Sequence, residues 1–330
     1  MKVLITGGAG FIGSTVANAC MDAGITPVVL DDLSTGRMEF MRGHLHHVGS
    51  IADPAALDAV FAAHPDIEAV VHCAAKIVVP ESVDNPIKYY DNNVLGTLRF
   101  VENLLSRGCT RFLFSSSASV YGHTPDLAVD EDAPLGAASP YARTKAMAEQ
   151  LLEDVAAASD LRVLSLRYFN PIGADPQLRT GLQLATPTHA LGVLMTAEAE
   201  GKPFTITGTD WPTRDGSAIR DYVHVWDLAR AHVQGLLRFD TVTSDRPYRV
   251  INLGTGVGTT VRELVAAFRD VSGSSIEVHE APPRPGDVVG AYALSKHATA
   301  LLDWRAERGV TDGIRDALAW RAVRPAVLGY

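Results

Sequence analysis

Along the first 170 residues, short apolar runs alternate with longer mixed stretches. The runs KVLIT (2–6), TPVVLDD (26–32), HHVGSI (46–51), AVVHCAA (69–75), RFLFSSS (111–117) and RVLSLRYFN (162–170) predict strands. Helices are expected between them, over 12–23, 54–64, 86–107 and 140–158. Several of the strand runs are nearly continuous in apolar residues rather than alternating. A strand has that pattern when both of its faces are buried, as in a parallel sheet covered by helices on both sides. The expected fold class is therefore α/β, a doubly wound parallel sheet.

After NPIGAD (170–175) the rhythm changes, Gly and Pro become frequent, and the strand signals spread out. A smaller C-terminal α/β domain over 171–330 is expected to follow a first domain over 1–170. The segments RDYVHVWDLARAHVQGLL (220–237) and VINLGTG (250–256) look like returns to the main sheet, which makes the division discontinuous. No internal repeat or low-complexity segment interrupts the pattern.

Composition narrows the function classes. With 330 residues, 47% hydrophobic and 20% charged, the chain can bury a large core. Its formal net charge of -9 argues against nucleic acid and against anionic lipid, both of which repel it. The three cysteines, Cys20, Cys73 and Cys109, are far apart and form no CxxC pair, so neither a disulfide framework nor a zinc site is indicated. The opening run VLIT is too short for a signal core, and no apolar stretch approaches the roughly 18 residues of a membrane span. A reducing cytoplasm is the expected setting.

The first chemical signal is TGGAGFIG (6–13), which follows a predicted strand and opens a predicted helix. Its glycines, Gly7, Gly10 and Gly13, permit a tight turn, close approach of a pyrophosphate, and close packing of helix on sheet. The helix N-terminus adds N–H donors and a partial positive charge. Asp31 ends the second strand, at the distance where a carboxylate binds a ribose 2′-OH and repels a 2′-phosphate. The pattern is that of a Rossmann-type dinucleotide site, with NAD favoured over NADP.

The second signal is SPYARTK (139–145). Tyr141 and Lys145 stand at i and i+4, so both project from one helix face. A free tyrosine, with a pKa of about 10, is a poor base at neutral pH. A neighbouring ammonium and a positively charged nicotinamide both favour the phenolate. Ser117, at the end of RFLFSSS, is a third group able to share the proton of a substrate alcohol.

The order of these signals resembles the extended short-chain dehydrogenase/reductase superfamily, and the finer motifs resemble its UDP-glucose 4-epimerase family. They are ESVDNPIKYYDNNVLGT (81–97), FSSSASVYG (114–122), SPYARTKAMAEQ (139–150), LRYFNPIGA (166–174), GTDWPTRDGSAIRDYVHVWDLA (208–229) and INLGTGVGTTV (251–261). The likeness spans nearly the whole chain and implies a nucleotide-sugar substrate, a tightly bound NAD regenerated in each turnover, and a homodimer. It implies that Ser117 and Tyr141 handle the sugar 4-OH proton and that Lys145 contacts the nicotinamide ribose and lowers the tyrosine pKa. It extends the cofactor contacts to Phe11, Ile12, Asp32, Ser50, Ile51, Ala74, Asn93 and Tyr168. On the substrate side it implies Phe169, Asn170, Thr207, Arg220, Tyr222, Arg284, Asp287 and Ala291. The planar forks of the two arginines suit a diphosphate.

Three positions depart from the family pattern. Ser50 stands where an aspartate usually meets the adenine. Thr207 replaces the aromatic residue that stacks on the uracil, and the 187–195 segment differs from the one that covers that base. Loose base selectivity, with dTDP-glucose accepted beside UDP-glucose, is the resulting expectation. In the family a gate lies four residues after the aspartate of an R-x-G-D run, here 284–287. It falls on Ala291, with Tyr292 beside it, and a small residue there implies acceptance of UDP-GlcNAc and UDP-GalNAc. Three alternatives stand beside an epimerase. A 4,6-dehydratase would need an Asp-Glu pair where Ala118 and Ser119 stand. A non-catalytic NAD-binding regulator usually lacks the tyrosine or the lysine, both present here. A zinc enzyme built on His44, His46 and His47 would lack Cys or acid partners near them, so no metal is expected.

Overall fold

The computed structural model describes residues 1–124, 126–284 and 287–329. Its centre is a seven-stranded parallel sheet. The strands are β1 (Lys2–Thr6), β2 (Thr26–Asp31), β3 (Leu45–Val48), β4 (Ile67–His72), β5 (Arg111–Ser115), β6 (Arg162–Tyr168) and β7 (Tyr248–Leu253). Their spatial order is β7-β6-β5-β4-β1-β2-β3. The chain winds outward from β1 to β3, then crosses back to β4 and continues the other way. This reversal opens a crevice beyond the C-terminal ends of β1 and β4, where open α/β sheets bind ligands.

Alternation along the strands sorts the core into two layers. Val3 and Ile5 of β1 and Val29 of β2 pack with Val16, Ala17 and Cys20 of helix α1 (Phe11–Asp22). Leu4, Val28 and Val70 face the other way. They pack with Phe100 and Leu104 of α2 (Gly96–Ser106) and with Ala148 and Leu152 of α3 (Pro140–Ala158).

Of the two segments expected to return to the main sheet, only 250–256 joins it, while Tyr222–His224 lies in a separate two-stranded sheet. Tyr222–His224 pairs in parallel with Asn170–Ile172, the helix α4 (Val225–Leu237) packs in the α1 layer, and β7 closes the sheet beside β6. A separate cluster, with Leu191, Phe204, Ile206, Leu264, Phe268 and Ile314, forms the core of the C-terminal region. Among the described residues no helix is long and apolar enough to cross a membrane.

One expected element is broken. In place of a continuous helix over 86–107 there is a short helix Pro86–Tyr90, a π-helical turn Asp91–Leu95, and then α2. The wider turn carries Asn93, which is buried. Such π turns inside helices frequently sit at functional sites, because the extra residue re-aims a side chain.

Candidate active site

The glycine loop is shaped by contacts that a side chain would break. Gly7 has φ +68°, and a Cβ on it would lie 2.7 Å from the Ala74 backbone nitrogen. A Cβ on Gly13 would lie 2.3 Å from the Gly7 carbonyl oxygen. Gly10 is the N-cap of α1 and brings no capping side chain, so the first-turn N–H groups of Phe11, Ile12 and Gly13 are left for another acceptor. This is a cradle for a pyrophosphate.

Asp31 stands at the rim of the cradle. Its Oδ2 accepts from the Ala9 backbone N–H at 3.0 Å and its Oδ1 from that of Leu33 at 2.8 Å. Burial raises its pKa against these two bonds. Each oxygen keeps a lone pair for a ribose hydroxyl. Asp32 is spent on the following turn, accepting from Ser34 N–H at 2.9 Å. Ser50 likewise caps its own loop, accepting from Ala52 N–H at 3.2 Å, while Ile51 and Ala74 pack in the same apolar layer. Asn93 accepts from Lys76 N–H at 2.9 Å and donates to the Lys76 carbonyl and to Thr144 Oγ1, each at 3.0 Å. It therefore ties the loop after β4 to α3. These residues fit a dinucleotide.

The catalytic candidates converge beyond the end of β5. Ser139 caps α3, accepting from Ala142 N–H at 3.1 Å, and Pro140 pre-sets the first helical position. Tyr141 and Lys145 are thereby fixed one turn apart on the buried face of α3. Lys145 Nζ donates to the Ser115 carbonyl at 2.7 Å and lies 4.7 Å from the centre of the Phe114 ring. Burial pulls its pKa down to about 8, opposed by Cys73 and Glu149. Ser117 Oγ accepts from Ser119 N–H at 3.1 Å and donates to Ser119 Oγ at 2.9 Å.

The tyrosine differs from the expectation. The i, i+4 spacing predicts a phenol acidified by Lys145. In the protein alone burial raises the Tyr141 pKa, and Ser117 is the group that opposes it. The Lys145 ammonium is turned toward a carbonyl instead, so its influence on the phenol is weak in this state. Tyr168, at the end of β6, is half-buried, and desolvation raises its pKa well above the ordinary value.

The substrate-side candidates fall into two groups. Thr207 Oγ1 donates to Asp287 Oδ2 at 3.1 Å, and Arg284 pairs with Asp287 through Nη2 at 3.1 Å and Nε at 3.2 Å. Burial raises the Asp287 carboxyl, but the bonds from Arg284 and Thr207 outweigh it and leave it below the usual range. Pro285 and Gly286, the middle of the R-x-G-D run, lie outside the described residues. Arg220 donates to three backbone carbonyls, Ile219 at 2.7 Å, Val289 at 3.0 Å and Val288 at 3.3 Å. No carboxylate among the described residues lies within ion-pair distance of it, and burial lowers its pKa, so it carries poorly neutralised positive charge. Tyr222 is buried beside it with a hydroxyl that has no hydrogen-bond partner among the described residues. The second group adjoins it through Ile219 and Val289. Ala291 packs with Phe169, Val120 and Tyr121, whereas Tyr292 turns to Leu127, Ile219 and Val289. Asn170 joins the two through its strand, its N–H donating to the Asp221 carbonyl at 3.0 Å.

Two features escaped the sequence reading. Lys76 reaches over the crevice to donate to Ser34 Oγ at 2.7 Å. A lone cation directly after a buried strand, at its C-terminal end, was the available signal. Below the serine loop, Arg167 grips Glu149 through Nε at 3.0 and 3.1 Å and Nη2 at 2.6 Å, and Ser116 donates to the same carboxylate at 2.5 Å. Glu149 continues the Tyr141, Lys145 spacing by one more turn, which placed it on a face that must be buried. Among the described residues no group of His, Cys, Asp or Glu is placed to hold a metal ion, the trio His44, His46 and His47 included.

The chain is 42% identical over 322 residues to the UDP-glucose 4-epimerase of Azospirillum brasilense, covering 97% of this chain and 91% of that one. It is 40% identical over 333 residues to the UDP-glucose 4-epimerase of Bacillus subtilis, covering 98% and 97%. It is similar to the crystal structure of UDP-glucose 4-epimerase from Stenotrophomonas maltophila with bound NAD and formylated UDP-arabinopyranose, with a TM-score of 0.91, 36% identity and 99% of both chains covered. Residues 3–254 match the model of the NAD dependent epimerase/dehydratase family, and the chain belongs to that family.

Proposed function

We propose that this protein interconverts UDP-glucose and UDP-galactose by inverting C4 of the sugar. The observation that carries the reading is the meeting of Ser117, Tyr141 and Lys145 beyond β5, with Ser117 against the Tyr141 phenol and Lys145 anchored on the Ser115 carbonyl. Gly7, Gly10, Gly13 and Asp31 would hold NAD, which when bound supplies a reversible two-electron oxidant for C4.

The chain's own residues do the rest. Tyr141 takes the 4-OH proton and later returns it, with the Ser117 hydroxyl sharing it in transit. Burial makes a lone phenolate costly, so proton removal must coincide with the arrival of positive charge. Lys145 spends one of its three donors on Ser115 O and keeps two for the nicotinamide ribose and the phenolic oxygen. Arg220 and Arg284 hold the diphosphate, Asp287 the uridine ribose, and Asn170 and Tyr222 line the passage between. A 4-keto sugar tethered in this way can turn over and present its other face without leaving the site.

Ala118 and Ser119 stand where a dehydratase needs its acid pair, and Ala118 packs into the apolar cluster of Val120 and Phe169. That favours epimerisation over loss of water. Thr207, committed to Asp287, has no ring to stack on a base, so dTDP-glucose belongs in the substrate range. Leu95 of the π turn, Leu98 of α2 and Met147 of α3 are exposed and form the face of a homodimer. Three free cysteines suit a reducing compartment, so the reading includes a cytoplasmic location.

The test is conversion of UDP-galactose to UDP-glucose by the purified protein and by Tyr141→Phe. The variant should lose about a thousandfold or more in kcat and keep its dinucleotide, because it loses the base and almost no volume. Near-normal turnover in Tyr141→Phe would remove Tyr141 from the mechanism.

A further inference from the structure

Behind Lys145 lies a buried chain of neutral groups that the mechanism above does not use. His232 of α4 is fully buried, and its Nδ1 is 2.9 Å from the Leu228 carbonyl oxygen. A carbonyl only accepts, so Nδ1 carries the proton. Burial pushes the His232 pKa down to about 4, so the ring is neutral and Nε2 is an acceptor. Nε2 lies 3.1 Å from Ser115 Oγ. The single hydroxyl proton of Ser115 is therefore given to His232. Cys73 Sγ is also 3.1 Å from Ser115 Oγ, and Ser115 has no second proton to offer it. The thiol must donate, and burial holds it in that form by raising its pKa to about 11. Desolvation likewise keeps the neighbouring Tyr168 neutral.

The direction of this chain matters because Ser115 also carries the carbonyl that anchors Lys145 Nζ. We propose that His232 is a positioning residue of the proposed epimerase reaction: by accepting from Ser115 it orients the residue that aims Lys145, and it obliges Cys73 to remain a donor. The groups facing Lys145 are Cys73 and His72 from the end of β4 and Glu149 from its own helix. Without the His232 acceptor, Ser115 turns its proton toward the sulfur. A sulfur that accepts a hydrogen bond is a stronger acid, and a thiolate there would capture the ammonium that the nicotinamide ribose and Tyr141 require. The inference rests on the epimerase reading, but the hydrogen-bond chain can be read without it.

Two substitutions separate positioning from packing. His232→Gln places an amide oxygen near the position of Nε2 and preserves the acceptor. His232→Leu fills the space and removes it. Each is made in the full chain, with melting temperature and bound dinucleotide measured first. For His232→Leu the expected result is about a tenfold or greater loss of kcat for UDP-galactose with KM within about twofold, since binding contacts are untouched. The alkaline limb of its pH–kcat profile should move to higher pH, because an added anion raises the Lys145 pKa. His232→Gln should recover kcat to within about threefold and restore the profile. A readout without turnover is alkylation of Cys73 by iodoacetamide, in a Cys20→Ser, Cys109→Ser background. Its pH midpoint should fall in His232→Leu and not in His232→Gln. Wild-type kcat and an unshifted alkylation midpoint in a folded His232→Leu would overturn the proposal. So would equal losses in both variants with unchanged pH profiles. Should His232→Leu not fold, Ser115→Ala takes its place: it keeps the anchoring carbonyl but cuts the link to His232, so kcat should fall without the alkaline shift, and unchanged kcat there would overturn the proposal as well. A wild-type protein with no epimerase activity would instead sink the functional reading, while the alkylation comparison would still decide the chain.

Discussion

Burial acts on Tyr141 and Lys145 in opposite senses. It raises the phenol, because the anion is the charged form, and lowers the ammonium, because the cation is. A base with a depressed pKa carries its charge below that pKa and loses it as pH rises through it. Lys145 thus holds its charge below about pH 8 and sheds it above. In the proposed reaction, wild-type turnover should decline on the alkaline side of that value. Lys145→Ala should lose this limb, run far more slowly, and move its optimum upward, since Tyr141 must then ionise without the nearest cation. An unchanged pH profile in Lys145→Ala would argue against the lysine's assigned role. The pairing of these two residues was legible from their spacing. The environment that sets their charge was not, because Ser115, Cys73 and His232 meet only once β4, β5 and α4 are assembled.

At the scale of elements, legibility followed how local the signal was. The first six strands and α1 lie close to their expected places because apolar runs and a glycine turn act within a few residues. The break in the 86–107 helix was not legible. Nothing in DNNVLGT forbids a regular helix, and the π turn is held by long-range bonds from Asn93 to Lys76 and Thr144. The short strand Tyr292–Ala293 shows the same dependence on partners. Pairing with Ala128–Val129 sends Tyr292 toward Leu127 and Ile219 and leaves Ala291 packed beside Phe169. We propose that Ala291 borders the sugar's C2 substituent and leaves room for an acetamido group. UDP-GlcNAc should then be epimerised by the native protein. Ala291→Tyr should abolish that activity by overlap, with UDP-glucose turnover within about threefold of normal. A native protein that ignores UDP-GlcNAc, or a variant that still uses it, removes Ala291 from that role.

Across the whole molecule, one surface joins the site to the outside. α3 carries Tyr141 and Lys145 on its inner side and Met147 on its outer side. The neighbouring turn and α2 carry Asn93 inward and Leu95 and Leu98 outward. Both helices pack their inner residues into the same core layer on one face of the sheet. We propose that their outer face closes on a second copy of the chain about a twofold axis, giving the homodimer. Each chain has a mass of 35.3 kDa, so sedimentation equilibrium at micromolar concentration should report twice that, 70.6 kDa. Leu98→Glu combined with Met147→Glu places four like charges across the axis and should give a monomer. Its site residues all come from one chain, so dinucleotide should remain bound. Its outer helices lose their support, so melting should fall by several degrees, on the order of 4 °C for each 1 kcal/mol lost in a small domain and less in a chain of this length. Turnover should fall with it, because the inner faces of those helices hold the base and its lysine. A wild-type protein that sediments at 35.3 kDa would refute the assembly, and a dimeric double variant would place the interface elsewhere.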